Sequence, residues 1–139
     1  MTGLTAARDR LRQARGLPVV LDTACDAFEA ILAFIGARED TTGEPVAPLL
    51  LAATQAANGR DALLFAPSLP PHSRHPEKPG QQRGSAGDLS TEVTGLSRLL
   101  TAQLTHTAAT VPDGADRAAC QDAARYAAQI RDLLARAGR

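Results

Sequence analysis

Apolar residues recur along this chain at steps of three and four, the spacing that gathers one face of an α-helix. Leu4, Ala7, Leu11 and Ala14 form a first narrow stripe over residues 2–15, closed by Gly16, a residue suited to the left-handed turn after a helix. The stripe is thin enough to be peripheral. Pro18 fits the first turn of a second helix, which runs to somewhere between residues 36 and 40. Its apolar arc covers half the circumference, with Val20, Leu21, Ala24, Cys25, Phe28, Ile31, Leu32, Phe34 and Ile35 on one side and Asp22, Asp26 and Glu29 on the other. This helix belongs at the centre of the core.

After a polar connection at residues 39–44, Pro48 opens a third helix over residues 48–58, with Leu49, Leu50, Ala53, Ala56 and Ala57 facing inward and Gly59 as its stop. Residues 60–66 then carry Leu63, Leu64 and Phe65, read as a short turn of helix or an apolar plug packing under the bundle. Residues 67–88 change character: five of the nine prolines lie here, with Gly80, Gly84 and Gly87. A connection longer than about 12 to 15 residues is unusual in a compact domain. The expectation is a flexible Pro/Gly-rich linker whose first part follows polyproline II. Asp88 or Ser90 caps a fourth helix through residue 110, with the stripe Leu89, Val93, Leu96, Leu100, Leu104, Thr107 and Val111. Past Pro112, Asp113 or Asp116 caps a fifth, patterned by Ala119, Ala123, Tyr126, Ile130, Leu133 and Ala137.

Two hairpins joined by a long Pro-rich loop predict an all-α protein: an antiparallel four-helix bundle with an additional N-terminal helix. Composition agrees. At 139 residues the chain suits one domain, and with 3% aromatic residues and no tryptophan it lacks the material for a sheet. Fifteen basic and fifteen acidic residues cancel, which argues against a polyanion-binding block. The cancellation is uneven: residues 1–15 set four arginines against one aspartate, while Asp22, Asp26 and Glu29 lie close behind. No apolar run approaches the roughly 18 residues of a membrane span, and the five apolar positions 17–21 are shorter than a signal-peptide core of about 7 to 15. Alanine fills about a fifth of the chain and arginine outnumbers lysine fourteen to one, a bias that suits a GC-rich bacterial genome. The expected location is the cytoplasm of a bacterium.

Candidate chemistry is sparse. Cys25 and Cys120 are far apart, without zinc-ligand spacing, and read as small buried hydrophobes. The Asp22, Asp26, Glu29 face would suit a carboxylate metal site only if turned inward and joined by Glu-x-x-His motifs, which are absent; it reads as a solvated face on which the basic first helix could dock. His72 and His75 in the linker lack a third ligand, and His106 on the fourth helix is a general base only if a nucleophile converges on it. There is no G-x-S-x-G and no phosphate-cradling glycine loop. No enzyme activity, cofactor or metal is expected.

Surfaces say more. Thr94, Thr101 and Thr105 around Arg98 make the back of the fourth helix poor in charge, and Ala124 and Ala128 near Arg131 do the same for the fifth. Small residues let helices approach closely, so these positions are the expected interface of a homodimer or of a contact with another protein. The alternative partner is nucleic acid, held by Arg8, Arg10, Arg12, Arg15, Arg74 and Lys78, but no aromatic stacking platform accompanies them and the chain is neutral overall. A small-ligand or enzymatic bundle is the second alternative, and would bring His106 or Tyr126 into a pocket with other polar groups.

Overall fold

The computed structural model describes residues 3–42, 47–74 and 89–137. Among these every element is a helix: α1 Gly3–Gln13, α2 Leu17–Thr42, α3 Ala47–Leu64, the single turn α4 Pro71–Arg74, α5 Leu89–Thr110 and α6 Gly114–Ala137. The starts and stops have visible causes. Gly16 takes φ +84°, a conformation that costs a side chain dearly, and turns the chain from α1 into α2. Asp113 caps α6 by accepting the Asp116 N–H on Oδ2 at 2.9 Å.

Helices α2, α3, α6 and α5 touch in a closed ring, and α1 lies along the α2–α5 edge against both. Side-chain pairs fix the directions. Arg60 on α3 reaches back to Glu29 on α2, and Ser68 just past α3 meets Asp116 in the first turn of α6. Ring neighbours therefore run antiparallel, which makes the bundle a four-helix one with a fifth helix added. In chain order, α3 and α5 run the same way, so the end of α3 and the start of α5 lie at opposite ends of the bundle.

The core is built from small and medium side chains. Leu21, Phe28, Ile31 and Ile35 of α2 are sealed from solvent, as are Leu96, Leu100 and Leu104 of α5 and Ile130 of α6. Leu4, Ala7, Leu11 and Ala14 are also buried, so α1 is a full member of the core and not a peripheral strap. The hydroxyl of buried Ser97 donates to the Val93 carbonyl at 2.8 Å, which satisfies it inside the core.

Several expectations need correction. Gly59 does not stop α3: the helix continues to Leu64, and a Cβ at position 59 would lie 2.5 Å from Cε1 and Cζ of Phe28. The glycine is there to let the Phe28 ring pack against the α3 backbone. Its continuation resets the helix phase. Ala52, Ala56, Leu63 and Ala66 face the core, Leu50 and Leu51 face out, and Phe65 is 80% exposed instead of plugging the bundle. In α6 the buried arc runs through Ala123, Ala127, Ile130 and Leu134, leaving Tyr126 and Leu133 half-buried. Residues 67–74 do not form polyproline II. Leu69 is buried, α4 is a helical turn, and Ser68 donates to Asp116 from both its N–H (3.0 Å) and its Oγ (2.6 Å). The rest of the Pro/Gly-rich stretch, residues 75–88, lies outside the described residues.

Candidate functional site

The long helices α5 and α6 are joined by residues 111–113 alone, and their outer faces meet in an open groove of about 620 Å³. Thr101 and Thr105 of α5 line it together with Ala124 and Ala128 of α6, so four of the seven positions expected at an interface converge. Thr94, Arg98 and Arg131 do not line it. Thr94 and Arg131 are half-buried, Arg98 is exposed, and Arg131 Nε lies 3.3 Å from Asp132 Oδ1. Thr101 Oγ1 donates to the Ser97 carbonyl at 2.8 Å, which spends the hydroxyl within its own helix. Arg117, Gln121 and Arg125 form the polar rim.

On the other side of α6 a second groove, about 430 Å³, runs between α3 and α6. Phe65, Ala62, Ala118 and Tyr126 form its apolar part, with Asn58 and Asp122 beside them. The ridge separating the two grooves carries an ion pair, Arg125 Nη2 to Asp122 Oδ1 at 3.0 Å, and the Arg125 guanidinium also lies 5.7 Å from the centre of the Tyr126 ring. Phe65 is the signal that sequence reasoning missed. Reading Gly59 as a stop hid the fact that Phe65 continues the outer face of α3.

The acidic positions are not a solvated face. Asp22, Asp26 and Glu29 are half-buried and look toward α3 and α4: Arg60 Nη1 pairs with Glu29 Oε1 at 2.8 Å, and Ser73 Oγ donates to Asp22 Oδ1. The hydrogen bond that Arg60 donates to Glu29 and the Glu29 charge outweigh the opposing effect of burial and hold Arg60 more firmly protonated than usual. Helix α1 docks elsewhere, through its apolar stripe. A cleft of about 190 Å³ beside these groups reaches Cys25, whose thiol is pushed up to about 12 by burial and then by the charges of Asp26, Asp22 and Glu29. Cys120 is pushed up to about 11 by burial and by Asp116. Both thiols are free and buried, and both stay protonated at neutral pH. Among the described residues, no three His, Cys, Asp or Glu side chains converge to hold a metal ion, and no helix is long and apolar enough to cross a membrane.

The basic set is divided. Arg8 turns into the seam between α1 and α5, where its Nε is buried without a hydrogen-bond partner among the described residues. Arg10, Arg12 and Arg15 are exposed, while Lys78 and the side chain of Arg74 lie outside the described residues, as do His75 and the side chain of His72. His106 is exposed and lines a cavity at the α1–α2 corner, apart from the groove that holds Tyr126. No protein-family model, curated protein or solved structure matched the chain.

Proposed function

We propose that the protein works by protein–protein contact, as a non-catalytic adaptor, regulator or accessory subunit in the bacterial cytoplasm, and that its first partner is a second copy of itself. The observation that carries this is the outer surface of α6, a ridge bearing Asp122 and Arg125 with an open groove on each side. The ridge is self-complementary. In an antiparallel pair of α6 helices with the two-fold axis between Ala123 and Ala124, Asp122 of each copy faces Arg125 of the other, and the two ion pairs form by exchange of the one each copy already makes. Ala118 and Ala128 beside the ridge allow the backbones to come close. Phe65 supports the same surface, since covering so exposed a ring stabilises a contact by about 1.5 to 3 kcal/mol.

Charge reversal tests this without disturbing the core. Asp122→Arg and Arg125→Asp each weaken self-association in sedimentation equilibrium, and the double variant recovers it, because the exchanged pair is complementary again. Thr101→Glu and Ala128→Glu weaken it by placing a charge in the groove. A double variant that stays as weak as the singles excludes α6 as the seam.

A further inference from the structure

Three of the four large apolar side chains that stand exposed among the described residues belong to α3: Leu50, Leu51 and Phe65. Their order along the helix is informative. Leu51, Asn58 and Phe65 follow at steps of seven residues, two turns of helix each, so they share one face, with Leu51 and Phe65 about 21 Å apart at 1.5 Å per residue. Asn58, half-buried, stands midway between them. A face with an apolar group at each end and an amide in the middle maps onto itself when turned end over end.

Helix α6 shows where such a turn is centred. It runs antiparallel to α3, with Ser68 just past the end of α3 held by Asp116 in the first turn of α6. The groove that the two helices share therefore has Phe65 toward Ala115 at one end and Asn58 toward Tyr126 at the other. Asn58 falls level with Asp122 and Tyr126, the height at which the two-fold axis between Ala123 and Ala124 crosses α6. The ion pair on α6 and the heptad spacing on α3 thus share a centre to within a helical turn. Asp61, exposed on α3 near that height, already faces Arg60 Nη2 at 3.3 Å, which eases its approach to its own copy.

We propose that the outer face of α3 completes the seam between two copies of this chain. Phe65 of each copy seats on Leu51 and Leu50 of the other, and the two Asn58 amides meet at the axis, each donating to the other's side-chain oxygen. This rests on the self-association through α6 argued above and adds a second helix to it. An amide pair inside an apolar contact also fixes its register, because sliding by a heptad sets Asn58 against Leu51 or Phe65.

Charges placed across the contact test it, in the full chain and by sedimentation equilibrium. Phe65→Glu and Leu51→Lys, both at exposed positions, each weaken self-association about tenfold, and the double variant recovers most of the loss because opposite charges then face each other between copies. Within one copy the two positions are about 21 Å apart, well beyond the screening length, so they do not compensate each other. Three results overturn the proposal. A native chain that is a monomer at every concentration takes the contact down with the α6 reading. Recovery in the Asp122→Arg, Arg125→Asp double variant without recovery in the Leu51→Lys, Phe65→Glu one leaves the α6 seam standing and removes α3 from it. Single α3 variants that associate like the native chain assign this face to a different protein.

Discussion

At the scale of single residues, Gly59 and Phe28 are one unit. A methyl group at position 59 would meet the ring at 2.5 Å, and the ring is held in a sealed core. Alanine gains about 1 kcal/mol of helix propensity over glycine, while overpacking typically costs about 1 to 3. Gly59→Ala therefore lowers stability in urea unfolding, contrary to its usual effect in a helix, and Phe28→Leu in the same chain recovers part of the loss. Equal costs added together would show that the two do not touch.

Cys25 is informative for the opposite reason, since its chemistry is suppressed. The thiol ionises near pH 9.0 when exposed and near 12 when folded, so the unfolded chain loses its proton first as pH rises. This contribution to stability is whole below pH 9.0 and is lost between 9.0 and about 12, by at most about 1.4 kcal/mol per pH unit for one thiol. Cys25→Ser flattens that part of the pH profile. An unchanged slope contradicts the burial of the thiol.

Among the elements, α5 was the most legible in the sequence and α3 the least. The α5 stripe from Val93 to Val111 lies in the core as its spacing implied, because leucines separated by polar residues leave one phase for the helix. In α3 three consecutive leucines, Leu49 to Leu51, fit more than one phase, and alanines after them discriminate weakly. Burial of Leu63 decides the phase, and that depends on the helix passing through Gly59, which only the approach of Phe28 explains. The anchoring of residues 67–74 was hidden because Asp116 reads equally well as a cap, whereas it is 2% exposed and holds Ser68, 48 positions away. Asp116→Ala leaves the Ser68 N–H without its acceptor and costs about 1 to 3 kcal/mol. The same change speeds hydrogen exchange of the Ser68 amide beyond what the global loss explains. Exchange that follows only global stability would show the tether to be incidental.

For the whole molecule, the bundle class followed from helix number and loop lengths, but the contents of its surfaces did not. Pairings across the chain, such as Arg60 with Glu29 or Arg15 with His106 around one cavity, depend on the rotation of each helix about its axis, and Ala-rich helices leave that rotation loosely specified in sequence. Net neutrality illustrates the point. The acidic face of α2 is answered by Arg60 and not by α1, so the cancelling charges sit in separate places. Outward on α6 lie Arg117, Gln121, Asp122 and Arg125 between two grooves, and on the α3 side Leu50, Leu51 and Phe65 are exposed, which is the surface proposed for contact.

Mass in solution is the most direct test of that surface. Sedimentation equilibrium of the native chain at about 100 μM, within reach of a micromolar association, is predicted to give twice the 14.5 kDa chain mass, falling to one chain in Ala128→Glu. A native chain that stays at 14.5 kDa across the concentration range contradicts the account.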